Sequence, residues 1–242
     1  MRTLYIEYFK RGLDFSLSLV AMVVLSPLLL VLSALGWWRM KGDPFFSQER
    51  PGWHEKIFKL YKFRTMTNER GLDGKLLPDS DRLNAYGRFL RSSSLDELPE
   101  LWCIIKGDMS IVGPRPQLVR DMVFMTQEQR KRHNVRPGLT GLAQIRGRNA
   151  ITWEEKLSAD NEYINNISFF GDVQIVLKTI GSVLRRDGIS MEGMDTALDY
   201  GDALLKSGKI TMEEYKEKQE EADRILQEYL ISPLNTKNPK VQ

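Results

Sequence analysis

The feature that most constrains this chain is an uncharged stretch of 21 residues, from Phe15 to Leu35. As an α-helix it would be about 31 Å long, which is enough to cross the hydrocarbon core of a bilayer. A cleaved signal peptide fits poorly, because the apolar segment is too long and no small-residue cleavage site follows it. A buried core helix is the other alternative, but it would be apolar on every side. We therefore predict that residues 1–40 form a membrane segment.

The membrane segment is interrupted near its middle by Ser26-Pro27. Proline removes one backbone hydrogen bond and bends a helix, and the serine before it can bond to the carbonyl group that is left free. Basic residues flank both ends of the segment: Lys10, Arg11, Arg39 and Lys41. Because the positive-inside rule then selects no orientation, we predict a re-entrant helix that enters and leaves the same membrane face.

Beyond the membrane segment, two stretches alternate apolar and polar residues, at Pro44–Gln48 and Ile57–Thr65, and Arg50–Gly52 between them is typical of a turn. Residues 82–91 carry apolar side chains at helical spacing, which predicts an amphipathic helix lying either along the membrane surface or in the core. The predicted fold class is α/β and mostly helical. It is a monotopic membrane protein with surface amphipathic helices and a small strand- and loop-rich catalytic core at residues 41–189.

The last part of the chain, residues 190–242, differs in charge from the rest. It contains 7 Lys+Arg and 11 Asp+Glu, a net of −4, which leaves +7 on residues 1–189 from the total of +3. Thr211 and Glu214 have the spacing of a capping box, which predicts an acidic helix within a small helical hairpin. The single cysteine, Cys103, excludes an internal disulfide and fits a reducing compartment. The basic part favours anionic partners, but basic residues interleaved with stacking aromatics are absent, so nucleic acid is not expected.

The adjacent carboxylates Asp96 and Glu97 are the centre of the predicted site. Ser94 and Glu97 have capping-box spacing, which would place both carboxylates in the first turn of a helix, where free backbone N–H groups stabilise negative charge. Pro99 conflicts with that register because it lacks a backbone donor, and a helix that begins near Pro99 is the alternative. In either case the two carboxylates lie at a helix entrance and are expected to be ionised.

Basic residues accompany these carboxylates. Arg91 lies five residues before Asp96, and Arg115 is held between two prolines that fix its backbone in an extended form. An arginine on so stiff a support suits bidentate binding of a phosphate. Lys62 and Arg64, in the second predicted strand, are either solvated edge charges or further phosphate ligands. Carboxylates that face arginines either form plain ion pairs or hold a divalent cation together with a phosphate.

A glycine-rich basic run follows Arg136, and residues 139–149 show no helical period. Its glycines let backbone amides approach a ligand closely, and its arginines, Arg146 and Arg148, are available to neutralise phosphates. A basic loop with no role in ligand binding is the alternative. Two further helices are predicted, at Trp153–Ile164 and Val173–Leu184.

Several motifs occur in a fixed order along the chain. They are Ser26-Pro27, Tyr61-Lys62-Phe63-Arg64-Thr65-Met66, Leu95-Asp96-Glu97-Leu98-Pro99, Lys106-Gly107-Asp108-Met109-Ser110, Gly113-Pro114-Arg115-Pro116, Arg136-Pro137-Gly138-Leu139-Thr140-Gly141 and Gly147-Arg148. In these motifs the chain resembles the monotopic bacterial phosphoglycosyl transferases, the bacterial sugar transferase family, over roughly residues 5–190. It is most similar to the small single-domain members, such as the transferase for diacetylated bacillosamine phosphate, with which it shares residues 147–151 and 166–170.

The resemblance implies the first membrane step of glycan assembly. A UDP-sugar, expected to carry an N-acetylated sugar, gives its sugar 1-phosphate to polyprenyl (undecaprenyl) phosphate, leaving UMP and a polyprenyl diphosphate sugar. Mg²⁺ is the implied cofactor, Asp96 the implied nucleophile that forms a covalent phosphosugar, and Glu97 its partner at the metal ion. Such a nucleophile needs no general base, but cations must offset repulsion from the diphosphate. The proposed phosphate and uridine ligands are Lys62, Arg64, Arg91, Arg115, Arg136 and Arg148.

The same resemblance places the protein in membrane lipid at the cytoplasmic face of the bacterial inner membrane, with a homodimer or downstream glycosyltransferases as further partners. Two positions depart from the family pattern: Cys103 replaces a common asparagine and Leu142 a usual tryptophan, so what the family residues support there does not carry over. The rival interpretation is a non-catalytic membrane scaffold that binds anionic lipid headgroups. It explains the apolar segment and the positive charge, but not two adjacent carboxylates in basic surroundings.

Overall fold

The structure, a computed structural model, describes residues 4–147, 150–185 and 198–232. The helices in these ranges are α1 (Lys10–Val24), α2 (Ser26–Met40), α3 (Asp79–Arg82), α4 (Ala85–Ser93), α5 (Glu100–Lys106), α6 (Val119–Met122), α7 (Gln127–Arg130), α8 (Leu142–Arg146), α9 (Trp153–Asn165), α10 (Phe169–Arg185), α11 (Tyr200–Lys206) and α12 (Met212–Ile231). The strands are β1 (Phe45–Pro51), β2 (Ile57–Phe63), β3 (Ser110–Val112) and β4 (Gly138–Thr140). The chain also forms a π-helical turn at Tyr5–Phe9 and 3₁₀ turns at Trp53–Glu55, Leu95–Glu97 and Lys131–Asn134. The fold is mostly helical with two small sheets, as predicted, and the division into residues 1–40, 41–189 and 190–242 stays a prediction.

The predicted break in the apolar segment is present. Helices α1 and α2 meet at Leu25 with a bend of 63°. The Ser26 hydroxyl donates to the Val23 carbonyl oxygen over 2.7 Å, which is the carbonyl that Pro27 leaves without an N–H partner. Within the described residues no single helix is long and apolar enough to cross a membrane, whereas the bent pair meets that test by length and composition together.

The bent pair is joined to the rest of the fold by polar contacts on one side. The buried Asp14 carboxylate accepts from the Ser110 hydroxyl at 2.6 Å and from the Ile111 N–H at 3.1 Å, which ties α1 to β3. Arg11 donates to the carbonyl groups of Ile104 and Ile105 at 2.6 and 2.9 Å, at the carboxyl end of α5. The other side exposes large apolar side chains, among them Leu17, Val20, Val24, Leu30, Val31 and Trp38.

Strands β1 and β2 are the two predicted strands and pair antiparallel, but the turn between them lies later than the predicted Arg50–Gly52. The ladder continues through Arg50, opposite Phe58, to Pro51, opposite Ile57. The chain therefore reverses over residues 52–56, where the Gly52 N–H donates to the Lys56 carbonyl at 2.9 Å. Proline lacks the donor that an inner ladder position needs, and it is tolerated here because it stands at the end of its strand.

The predicted helix at residues 82–91 is shifted. Leu83 has an extended backbone, and α4 begins after Asn84, whose side chain accepts the Gly87 N–H at 2.9 Å as an N-cap. A Cβ atom on Gly87 would lie 1.9 Å from the Thr65 carbonyl oxygen. Glycine therefore lets α4 lie directly against the chain that leaves β2. The buried Tyr86 faces α2 and donates to the Leu32 carbonyl at 2.7 Å.

The capping box predicted for Ser94 and Glu97 is wrong, and the alternative near Pro99 is correct. Ser94 has a φ of 55°, which ends α4 in the left-handed conformation, and its side chain makes no capping hydrogen bond. Residues Leu95–Glu97 form a 3₁₀ turn, and α5 begins at Glu100 after Pro99. A residue at positive φ cannot take the extended conformation of an N-cap, so the two helices are separated by a tight turn that carries both carboxylates.

Strands β3 and β4 pair in parallel, and glycines allow their close approach. A Cβ atom on Gly138 would lie 2.1 Å from the Gly113 nitrogen, and one on Gly141 would lie 2.1 Å from the Gly113 carbonyl oxygen. These glycines therefore bring two backbone segments together, which differs from the ligand-binding role predicted for the run. The absence of a helical period predicted for residues 139–149 is also wrong, since Leu142–Arg146 is helical.

The helices in the last third of the described chain agree with those predicted from the sequence. The predicted helices at 153–164 and 173–184 are present as α9 and α10. The predicted capping box at Thr211 is confirmed: its hydroxyl accepts the Glu214 N–H at 3.1 Å, and Glu214 accepts the Thr211 N–H at 2.7 Å. Helices α11 and α12 form the predicted hairpin.

Candidate active site

Side chains from four elements meet around the turn between α4 and α5. Glu97 Oε1 accepts from Arg115, which lies in the loop after β3, and from Lys62 on β2, whose Nζ is 2.9 Å away. The same Lys62 Nζ lies 3.2 Å from Oε1 of Glu100, the first residue of α5. Lys62 is thus a partly buried bridge between two carboxylates and not a fully solvated edge charge.

Glu100 was not among the predicted site residues. Its side chain is only 1% exposed, and burial raises its pKa to about 7. The positive charge of Lys62 opposes this shift, because it favours the ionised carboxylate. The signal in the sequence was its place beside Pro99, because a carboxylate in the first turn of a helix interacts with free backbone N–H groups. Together with Asp96 and Glu97 it gives the site three acidic groups facing a small set of cations.

The pKa values of the adjacent carboxylates Asp96 and Glu97 are shifted in opposite directions. Burial raises the pKa of Asp96 to about 6, helped by the negative charge of Glu97 and opposed by Lys62, Arg115 and Arg91. Burial also disfavours ionised Glu97, but Arg115 and Lys62 outweigh it and hold the pKa of Glu97 well below its usual range. Glu97 is therefore a permanent anion in an ion-pair network, while Asp96 loses its proton near pH 6.

Asp96 differs from its neighbours in having no partner. Among the described residues, no hydrogen bond or ion pair to its carboxylate is present, although three cations lie close enough to lower its pKa. Glu97 and Glu100 are both held by Lys62. The side chain left available to a substrate or a metal ion is therefore that of Asp96.

The structure places the other predicted ligands at different distances from this centre. Arg91 Nε donates to Thr65 Oγ1 at 3.1 Å, beside the carboxylates. Arg64 donates to the Phe45 carbonyl at 3.2 Å. Arg136 donates to the Gly107 carbonyl at 2.8 Å, with its guanidinium 4.4 Å from the Trp53 ring centroid.

The charges that act on Arg136 are those of Arg11, Asp14 and Asp108. Arg136 is therefore placed beside the start of α1 and not beside Glu97. Arg148 lies outside the described residues.

Two arginines that sequence reasoning missed, the buried Arg132 and the partly buried Arg50, hold the backbone of the loop that carries Arg115. Arg132 donates to the Arg115 carbonyl at 2.6 Å and is itself 2% exposed, paired with the buried Asp160 at 2.7 Å. Arg50 donates to the Pro116 carbonyl at 3.3 Å. The predicted stiffness of this loop thus comes from fixed carbonyl groups as well as from its prolines.

The acidic residues of the site offer few ligands for a metal ion. No group of three or more His, Cys, Asp or Glu side chains in the described ranges could hold an ion by itself. Mg²⁺ in phosphoryl-transfer sites commonly uses one or two carboxylates and takes its remaining ligands from substrate phosphates and water. Asp96, without a partner, and Glu97 fit that requirement only together with a bound diphosphate.

Comparison with known proteins agrees with the motifs. The family model described as bacterial sugar transferase matches residues 5–186. A Bacillus subtilis protein named uncharacterized sugar transferase EpsL is 46% identical over 188 residues, which cover 78% of this chain and 93% of that protein.

Two further relatives have names that state an activity. The undecaprenyl-phosphate galactose phosphotransferase of Salmonella typhimurium is 34% identical, over 75% of this chain and 42% of that protein. The UDP-glucose:undecaprenyl-phosphate glucose-1-phosphate transferase of Caulobacter vibrioides is 37% identical, over 74% of this chain and 70% of that protein. This chain thus spans less than half the length of the Salmonella relative. With three quarters of its residues inside these matches, the chain belongs to the bacterial sugar transferase family.

Proposed function

We propose that this protein transfers a sugar 1-phosphate from a UDP-sugar to a polyprenyl phosphate through a covalent intermediate on Asp96. The observation that carries the proposal is an Asp96 carboxylate without a partner, close to Lys62, Arg91 and Arg115. An anion can attack an anionic diphosphate only where cations offset their repulsion, and this cluster supplies them.

The proposed steps balance without a general base. An Asp96 oxygen attacks the phosphorus that carries the sugar, an aspartyl O–P bond forms, and the bond to the second phosphate breaks, so UMP leaves with the electron pair. A polyprenyl phosphate oxygen then attacks the same phosphorus, and the Asp96 carboxylate is released. Arg115 and Arg91 hold the transferred phosphate, and Lys62 fixes Glu97 and Glu100 around it.

Mg²⁺, held by Asp96 and Glu97 together with the diphosphate, would supply positive charge to the oxygens on which negative charge accumulates. Its role is part of the proposal. Glu97 contributes a carboxylate that stays ionised at every physiological pH, because Arg115 and Lys62 stabilise its charge. Asp96 supplies the nucleophilic oxygen.

The test is release of UMP from a panel of UDP-sugars by the full-length protein in detergent. We expect sustained, multiple-turnover release that requires both Mg²⁺ and polyprenyl phosphate, with the N-acetylated sugars tested beside UDP-galactose and UDP-glucose, whose sugars occur in the names of relatives. Anionic vesicle binding without UMP release from any donor would favour the scaffold interpretation. If UMP were released from UDP-galactose or UDP-glucose but from no donor with an N-acetylated sugar, the proposed reaction would stand and the expected donor would be wrong.

The bent α1–α2 pair is proposed to enter and leave the cytoplasmic leaflet of the bacterial inner membrane. Helix α10 also carries an exposed apolar stripe, formed by Phe170, Val173, Leu177 and Ile180. Tyr5, at the start of the pair, makes an edge contact with Phe169 of α10. The membrane face would therefore include both elements.

Labelling of engineered cysteines tests this topology. Leu4 is exposed and Gly42 has nothing within 4 Å of a Cβ atom, so Leu4→Cys and Gly42→Cys place a thiol at each end of the pair. The native Cys103 is buried, and burial raises the pKa of its thiol to about 11, so it stays unlabelled. We expect both engineered thiols to react only from the cytoplasmic side. Reaction from opposite sides would establish a crossing helix.

A further inference from the structure

A single buried carboxylate connects the C-terminal helices to the loop that carries Arg115. Asp121, which is 2% exposed, uses one oxygen for each side of this connection. Its Oδ1 accepts the Tyr200 N–H at 2.8 Å, at the first residue of α11. Its Oδ2 accepts the Leu118 N–H at 3.2 Å, three residues after Arg115.

The segment from Arg115 to Leu118 is thus held at its backbone from three directions. Arg132 holds the Arg115 carbonyl, Arg50 holds the Pro116 carbonyl, and Asp121 holds the Leu118 N–H. The first two supports come from β1 and from the 3₁₀ turn at Lys131–Asn134. The third depends on a carboxylate whose other oxygen is bonded to the C-terminal hairpin.

The C-terminal helices also pack closely on α6, which contains Asp121. Ala222 on α12 is 1% exposed and lies in an apolar cluster with Val119, Met122 and Val123. A Cβ atom on Gly201 would lie 2.4 Å from the ring of Phe124, so α11 approaches as closely as a glycine permits. This hairpin therefore forms part of the environment of α6 even though it lies beyond residue 186, where the family match ends.

We propose that helices α11 and α12 are an intramolecular brace that positions Arg115 through the Tyr200–Asp121–Leu118 hydrogen bonds. Tyr200 and Asp121 are positioning residues, since neither touches the acidic cluster. A role of the brace in catalysis rests on the proposed function, because the proposed transfer is what requires Arg115. The hydrogen bonds that connect the brace to the loop do not depend on that function.

The substitution Tyr200→Pro tests the contribution of the Tyr200 backbone N–H group to this connection. Tyr200 is the first residue of α11 and Asp199 before it is extended, so proline fits both backbone conformations while removing the donor to Asp121. Tyr200→Ala is the matched control, because it removes the same buried side chain and keeps the N–H. The measurement is hydrogen exchange of residues 115–123 in the full-length protein without substrate.

We expect this segment to exchange about tenfold faster in Tyr200→Pro than in Tyr200→Ala, as befits the loss of one buried hydrogen bond. Equal exchange in the two variants would overturn the brace. A second pair of variants tests the brace without introducing proline. Ala222→Asp places a charge in the buried α6–α12 contact, and Gln227→Asp places the same charge on the exposed face of α12. Faster exchange only in Ala222→Asp supports the brace, and no difference between the pair contradicts it.

Activity then tests the role of the brace. We expect kcat/KM to fall about tenfold in Tyr200→Pro relative to Tyr200→Ala, since small misplacements of a positioning group are costly. The same substitution should cost much less in an Arg115→Met background, because the group that the brace positions is then already absent. A loss of stability alone would lower activity equally in both backgrounds. If the wild-type protein transferred no sugar phosphate, the proposed function would be wrong. The hydrogen-exchange result would still show whether α11 and α12 hold the loop that carries Arg115.

Discussion

Replacing Asp96 by asparagine is expected to reduce sugar-phosphate transfer by about 10⁴-fold or more, because the substitution removes the atom proposed to form the covalent bond. Asparagine has nearly the same shape, and among the described residues the Asp96 carboxylate makes no hydrogen bond that the change would break. The network of Lys62, Glu97 and Arg115 should therefore survive. Loss of activity would then report chemistry and not collapse of the site.

The measurement is single-turnover release of UMP together with mass spectrometry of the quenched protein. Wild-type protein mixed with the donor and Mg²⁺, in the absence of polyprenyl phosphate, should carry a sugar-phosphate adduct on Asp96, and Asp96→Asn should carry none. Asp223→Asn, an exposed change on α12, is the matched control and should keep both the adduct and the rate. A wild-type burst of UMP without an adduct at Asp96, or substantial turnover by Asp96→Asn, would assign the nucleophile to another group.

The same substitution should stabilise the fold at neutral pH. The pKa of Asp96 is raised from 3.8 to about 6, so the folded state binds the proton more tightly than the unfolded state. The resulting cost of the ionised carboxylate is fully present above pH 6 and disappears as the pH falls below 3.8. Asp96→Asn should raise Tm at pH 7.5 by a few degrees, on the order of 1 kcal/mol, and leave it unchanged near pH 3.5. An equal gain at both pH values would point to packing and not charge.

How much of this arrangement the sequence could predict depends on the range of the interaction. The bend at Ser26-Pro27 follows from local backbone chemistry, because proline and the hydroxyl before it act within one helical turn. The capping box at Thr211 is local in the same way, and it is present as predicted. The box at Ser94 failed because a competing signal, Pro99, lay inside the same few residues and decided where α5 begins.

The long-range contacts could not be predicted in that way. Lys62 and Glu97 are 35 positions apart, and nothing in either segment states that β2 ends against the turn before α5. Arg50 and Arg132 looked like ordinary turn and helix charges, because burial beneath a loop is a property of the assembled fold and leaves no periodic signal. The glycines at 113, 138 and 141 were visible as a pattern, but whether they face a ligand or another backbone depended on the β3–β4 pairing.

The second large effect is expected at Arg115, where two substitutions separate charge from geometry. Arg115→Met removes the cation and the bidentate donor, and kcat/KM should fall about 10³-fold. Arg115→Lys keeps a positive charge but loses the planar fork that matches a phosphate, so we expect a loss of about 10²-fold. The measurement is UMP release at saturating polyprenyl phosphate over a range of donor concentrations, with Arg88→Met, an exposed change on α4, as the control.

The pH profiles of these variants then decide whether Arg115 acts on Asp96 through charge. In the wild-type protein the acid limb of kcat/KM should lie near pH 6, because Asp96 must lose its proton before it attacks and its pKa is about 6. Arg115 is one of the cations that favour the ionised form, so removing its charge raises the pKa of Asp96 and moves the limb to higher pH. Arg115→Met should show this displacement, whereas Arg115→Lys should stay close to the wild-type limb while remaining slow. A limb that is unchanged in Arg115→Met would mean that Arg115 does not act on Asp96 through charge, and a fully active Arg115→Lys would mean that the fork does not hold the phosphate.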